Sequence, residues 1–192
     1  MTDLPLVSLV VPSYNVERYV ADAIESALAQ TYRPLEIVVI DDGSTDGTAA
    51  VVDRYRDREE VRYIYQENRG LAGARNRGIA EANGAFIGLL DADDCWMPAK
   101  VATVVDYLTQ HPEIGWATTD CYLMQDTEKT TDRYYGTFEP EHFPTSAADQ
   151  LETISRRNFM SVAVTIRREL LDRFGGFDEG LRSSEDYDLW IR

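Results

Sequence analysis

Several common site chemistries lack their residues here. The two cysteines, Cys95 and Cys121, are far apart with no Cys-x-x-Cys spacing, and the only histidines are His111 and His142. Neither a clustered zinc site nor a Cys-His nucleophilic pair has support in that pattern. His111 precedes Pro112 at a helix end and His142 falls in an irregular stretch, so both read as surface residues. Positive charge is also scarce: 19 Lys plus Arg stand against 34 Asp plus Glu, a formal charge of −15. Such a field repels polyanions, and nucleic acid is not an expected partner. No uncharged apolar run is long enough to span a bilayer, and "MTDLPLVSLVVPSYN" carries Asp3 where a signal peptide wants a cation. The expected setting is reduced and cytoplasmic, peripheral at most to the inner face of a membrane through regions outside this sequence.

Two nucleotide-binding loops are missing as well. A dinucleotide site needs Gly-x-Gly-x-x-Gly after the first strand, but "VVPSYNVERYV" has no glycine, and a phosphate-binding P-loop needs a Gly-Lys pair that the chain lacks.

What is present is enough for one domain, with 44% hydrophobic residues in 192. Short β-branched runs predict strands at 7–11, 36–41, 61–65, 85–91, 115–120 and 162–167. Between them lie helical patterns. Residues 17–30 place Tyr19, Val20, Ala23, Ile24, Ala27 and Leu28 on one stripe, and residues 98–109 do so with Val101, Val104, Val105 and Leu108. A third helix over 47–56 has Thr45 or Asp46 as its cap, and a fourth runs from Gly70 to Gly84. Alternation of this kind predicts a parallel sheet with right-handed crossovers. Residues 124–158 show no clear period, and that length reads as a site loop or lid. The chain ends at "DLWIR" inside a helical pattern, which reads as a truncated end.

Ligands of open parallel sheets bind beyond the carboxyl ends of the strands. Those ends read "PSYN", "DDGSTDG", "QENRG" and "DADD". Asp41 and Asp42 alone would read as a turn before a helix cap. Asp91 and Asp93, two apart on an extended segment, would point to one face and need a cation between them. Hard divalent ions such as Mg²⁺ or Mn²⁺ take one or two carboxylates plus substrate phosphates, so metal binding is the preferred reading. An aspartyl phosphatase could use the same acids but would leave the other strand ends without a role. Trp96 reads as packing, and Trp116 and Trp190 as core or acceptor-site walls.

Taken in order, "VSLVVPSYN", "EIVVIDDGSTDGT", "NRGLAGARNRGIAEANGAFIGLLDADD" and "GGFDEGLRSSEDYDLWIR" resemble the family 2 glycosyltransferases of the GT-A fold. The likeness runs from about residue 6 to 192, leaving out 124–158. It implies an α/β, Rossmann-like, mostly parallel sheet flanked by helices on both faces. Residues 1–110 would bind the nucleotide sugar and 111–192 would form the acceptor side. It further implies transfer of a sugar, with inversion, from a nucleoside-diphosphate sugar to a glycan, lipid-linked or other hydroxyl acceptor, with a divalent cation. Pro12, Ser13 and Tyr14 match the segment along the base and ribose, and Asp42 the acid that hydrogen-bonds the base. Arg75 matches a basic residue near the base or phosphates. Asp91 and Asp93 match the Asp-x-Asp whose last member ligates the metal. Glu185 and Asp186 match a late Glu-Asp pair whose aspartate is the catalytic base. A non-catalytic nucleotide-sugar-binding module stands as the alternative. A nucleotidyltransferase would want a glycine-rich basic loop after the first strand, which "PSYN" is not.

Overall fold

Along the first strand, β1 (Val7–Ser13), every residue is buried. That pattern belongs to a central strand covered on both faces. Its side chains alternate: Val7, Leu9 and Val11 enter one core, and Val10 enters another. In this computed structural model, which describes residues 4–125, 128–133, 152–154 and 163–192, the elements that follow are α1 (Val20–Leu28), β2 (Leu35–Asp42) and α2 (Thr48–Val52), the last running into a 3₁₀ turn. Next come β3 (Val61–Gln66), α3 (Gly70–Glu81), β4 (Phe86–Leu89), α4 (Lys100–Gln110) and β5 (Trp116–Thr118). Strands β6 (Tyr122–Gln125), β7 (Glu128–Arg133) and β8 (Val164–Arg167) precede α5 (Arg168–Phe174) and α6 (Glu185–Ile191).

The main sheet has the order β3-β2-β1-β4-β8-β5. Pairs β1·β2, β1·β4 and β2·β3 are parallel, as expected from the strand-helix alternation. The last two are not: β8 runs antiparallel to both β4 and β5. The strand-helix alternation breaks off after β5, where the β6·β7 hairpin follows before β8 is reached. The predicted stripes are buried except at Tyr19 and Leu28, which are only partly covered. Val20, Ala23, Ile24 and Ala27 of α1, with Val101, Val104, Val105 and Leu108 of α4, pack on the face that Val7, Leu9 and Val11 supply. Helices α3, α5 and α6 cover the opposite face through Ala72, Ile79, Leu171 and Trp190.

Two features differ from expectation, and one choice left open is decided. Helix α3 stops at Glu81, three residues before Gly84. Gly84 instead lies flat against β1, where an added Cβ would stand 2.6 Å from Ser8 N and 2.8 Å from Leu6 O. Asp46 rather than Thr45 serves the start of α2, accepting from Thr48 N at 3.0 Å and from Thr48 Oγ1 at 2.6 Å. Part of the stretch expected to be irregular is a hairpin of β6 and β7. The lid reading for the rest of 124–158, and His142 with it, fall outside the described residues apart from 152–154.

Lys100 stitches the far side of the sheet together. Its Nζ donates to Ala163 O at 2.9 Å and Thr119 Oγ1 at 3.3 Å, and stands 4.2 Å from the Trp96 ring centroid. Burial pulls its pKa down to about 8.

Candidate functional site

Three parallel strands end level with one another and deliver the first group of site residues. Ser13 of β1 is in register with Asp41 of β2, and Asp42 with Gln66 of β3. Pro12 lies past the last β1 residue paired with β4, where its missing N–H breaks no ladder bond on that side. Pro12 and Ser13 are buried, while Tyr14 is half exposed.

The two acids of "DDG" have different jobs. Asp41 is structural: Oδ1 accepts from Ser44 N at 2.8 Å and Oδ2 from the Tyr63 hydroxyl at 2.6 Å, which with burial raises the Tyr63 pKa. Asp42, also buried, accepts on Oδ1 from Gln66 Nε2 at 2.6 Å and from Arg69 N at 2.8 Å. The loops after β1 and β2 are then pinned to each other. Asn15, at φ 52°, accepts from Thr45 N at 2.8 Å and donates its own N–H to Ser44 Oγ at 3.0 Å. Asparagine tolerates that left-handed backbone better than most residues. Asn15 was not singled out in the sequence. The signal available was an asparagine four residues past a predicted strand, in the turn before the next helix.

"DADD" folds differently from the extended segment expected. Strand β4 ends at Leu89, and residues 91–94 form a turn closed by Asp94 N donating to Asp91 O at 3.0 Å. Asp91 and Asp93 therefore do not share a strand face. Asp91 turns inward to Arg75, and Asp93 is exposed. Asp94 has solvent access, yet the protein around it and then the charges of Asp91 and Asp93 push its pKa up to about 6.

A guanidinium supplies cationic charge to this cluster. Arg75 is 1% exposed and donates through Nη2 to Asp91 Oδ1 and Oδ2, at 2.9 and 3.2 Å, and through Nη1 to Glu185 Oε1 at 2.9 Å. Its Cζ lies 5.2 Å from the Phe177 ring centroid. This one side chain joins the end of β4 to the start of α6, two places 94 residues apart in the chain. The neighbouring Arg69 and Arg77 stay exposed and pair with Glu179 and Glu81 instead.

Helix α3 also holds the segment that leads into α6. Asn76 Nδ2 donates to Phe177 O at 2.9 Å, and Phe177 N returns a bond to Asn76 Oδ1 at 2.8 Å. Glu179 accepts from Asn76 at 3.0 Å and from Arg69 Nη2 at 2.7 Å. Asp186 sits in the first turn of α6, half-buried, with Oδ1 accepting from Tyr187 N at 2.7 Å. Ser184 occupies the cap position at φ 61°, and no side-chain capping bond is made there. The tryptophans do as read: Trp96 is buried packing under Gly88, and Trp116 stacks on Trp190 at 5.2 Å. His111 is partly exposed at the end of α4, 3.3 Å from Glu113.

Among the described residues no three acidic, histidine or cysteine side chains converge to hold a metal by themselves. A site completed by substrate phosphates asks for only one or two carboxylates. Asp93, exposed and next to Asp91, fits that donor set.

With this geometry in place, known proteins can be set beside the chain. A model of glycosyl transferase family 2 matches residues 8–175. An uncharacterised glycosyltransferase of Rickettsia typhi is 32% identical over 188 residues, which take in 98% of this chain and 58% of that protein. Chondroitin synthase of Escherichia coli is 29% identical over 191 residues, 98% of this chain and 26% of the synthase. Among solved structures, the mannosyltransferase PcManGT of Pyrobaculum calidifontis, in complex with GDP-Man and Mn²⁺, superposes with a TM-score of 0.73 at 25% identity over 98% of this chain and 51% of its own. TarS of S. aureus in complex with UDP also gives 0.73, at 24% identity over 95% of this chain and 53% of its own, and shares the fold. The chain spans little more than half the length of these proteins at most. The match covers the strand ends, the 91–94 turn and the α3 arginine alike, and on that ground the chain belongs to glycosyl transferase family 2, built on the GT-A fold.

Proposed function

We propose that this chain is the catalytic domain of an inverting glycosyltransferase, transferring a sugar from a nucleoside-diphosphate donor to a hydroxyl acceptor with the help of Mn²⁺ or Mg²⁺. Residues 1–110 bind the donor, residues 111–192 form the acceptor side, and the product is a polysaccharide, lipopolysaccharide or other glycoconjugate. One observation carries the reading. Buried Arg75 ties Asp91, in the 91–94 turn on the donor side, to Glu185 at the helix start that bears Asp186. A displacement with inversion needs a leaving-group site and a base on opposite sides of one sugar carbon, and Arg75 holds the neighbour of each, Asp91 beside Asp93 and Glu185 beside Asp186. The GDP-Man and Mn²⁺ of PcManGT and the polymer named by chondroitin synthase support the same class of donor, cation and product.

In this mechanism Pro12, Ser13 and Tyr14 lie along the nucleoside and Asp42 accepts from the base. Asp93, with Asp91, faces the diphosphate. A bound divalent cation supplies Lewis-acid stabilisation of charge on the leaving diphosphate. Asp186 takes the proton of the acceptor hydroxyl as the new glycosidic bond forms.

The test is calorimetry with UDP and GDP in Mn²⁺ and in chelator. Binding should require the metal, because the acidic turn and a net charge of −15 repel a bare diphosphate. Asp93→Ala should abolish the metal-dependent part. Equal affinity with and without metal would overturn the cation assignment.

Asp42→Ala should raise the donor KM and leave kcat of the folded enzyme near wild type, since a contact to the base is equally strong in ground and transition states. Stripping Arg69 N and Gln66 of their acceptor should also cost about 1–3 kcal/mol of stability. A fall in kcat at constant KM would move Asp42 into the chemistry.

A further inference from the structure

We propose that Arg75 and Glu185 form a positioning pair that sets where Asp186 stands, so that Arg75 serves transfer rather than donor capture. The inference rests on the catalytic reading of Asp186 given above.

Arginine has five N–H donors, and a guanidinium serving one carboxylate can meet it side-on through Nε and one Nη. Arg75 does not use that geometry. Its Nη2 goes to Asp91, its Nη1 goes to Glu185, and its Nε is buried with no hydrogen-bond partner. An unpaired buried donor costs about 1–3 kcal/mol. The fold tolerates that cost where the fork spans two elements. With its side chain 2% exposed, Arg75 has both Nη groups engaged by protein carboxylates rather than open to a ligand.

Helix α6 is held further along by the Tyr187 hydroxyl, which donates to Ile154 O, and by the Asp188–Arg192 pair at 3.0 Å, but neither of these ties its start to α3. It is seven residues long, begins after Ser184 in a left-handed conformation, and has no side-chain cap. Its first turn carries Glu185, Asp186 and Asp188, and Trp190 is its one buried residue, a turn further on. Upstream, Arg69, just before α3, and Asn76 within it fasten Phe177 and Glu179. Residues 180–184 follow, each exposed. After that exposed run, the Arg75–Glu185 bond returns the chain to α3 one residue before Asp186. A base displaced by about 1 Å can cost around 10²-fold in rate.

The experiment compares wild type with Arg75→Lys, Glu185→Gln and the double variant. Each is measured by titration with UDP and GDP in Mn²⁺, by single-turnover sugar transfer, and by amide hydrogen exchange across 185–191. Lysine keeps the charge but cannot fork to two carboxylates. Glu185→Gln keeps the shape and leaves Arg75 paired to Asp91, which guards against a folding failure. Each single variant should slow transfer about 10- to 100-fold with diphosphate affinity unchanged, and should speed exchange at the start of α6. The double variant should be little worse than the slower single, because both remove one interaction. Weaker diphosphate binding with an unchanged rate at saturation would overturn the proposal and make Arg75 a donor contact. Additive losses would overturn it too. If wild type transfers no sugar, the catalytic reading falls by itself, and unchanged exchange across α6 in both singles would then overturn the positioning pair separately.

Discussion

Asp186→Asn is expected to retain nucleoside-diphosphate binding while transfer falls by about 10²–10⁴-fold, the usual worth of a positioned general base. Asparagine keeps the size of the side chain and an oxygen that can accept from Tyr187 N, as Oδ1 does at 2.7 Å. It loses the capacity to take a proton. Single-turnover transfer and donor titration on the same preparations check this, with slow donor hydrolysis to water as the readout when no acceptor is in hand. Loss of binding in step with activity would give Asp186 a structural role. Rapid transfer in the variant would move the base elsewhere. A wild type that binds donor and transfers nothing would favour a non-catalytic binding module.

Arg75→Met should lower unfolding stability by about 3 kcal/mol, the lower end of what removing one partner from a buried ion pair costs. The lower end applies because the two acids differ. Glu185 is 13% exposed at its side chain and would be left with an uncompensated charge, whereas Asp91, at 30%, can regain water. Methionine fills much of the volume beside Phe177, so the loss measures charge more than cavity. Urea unfolding of the two proteins at neutral pH is the measurement. A change under about 1 kcal/mol would class the bridge with exposed ion pairs.

The sequence disclosed the parts of this molecule that repeat and hid those that depend on distant partners. Val20, Ala23, Ile24 and Ala27 could be placed because a period of 3.6 is local information. So could the all-buried run of β1, and the glycine-free "PSYN" that ruled out a dinucleotide loop. Strand direction carries no such signature. "VAVTIR" reads as an apolar strand whichever way it runs, and β8 lies antiparallel to both β4 and β5. Hairpin β6·β7 escaped notice because "EKTTDR" is almost wholly polar. At the site, the strand-end acids were legible from position. The turn at 91–94 was not, since an apolar run gives no sign of which residue ends the ladder. Arg75 was recognisable only as a cation near the acids. Its reach to Glu185 crosses 110 residues, and no pattern within a helix predicts such a bond.

The sheet order has a consequence for synthesis. On a ribosome, β1 to β4 emerge in sequence and can pair as they appear, but the open edge of Phe86–Leu89 waits for Val164–Arg167, some 75 residues later. At 5–20 residues per second that wait is roughly 4–15 s. Throughout it an apolar edge stands ready to pair with a neighbouring nascent chain. Slow translation between β5 and β8 would therefore favour aggregation of a chain whose finished form is stable, and faster translation or a holding chaperone over that interval would raise the soluble yield.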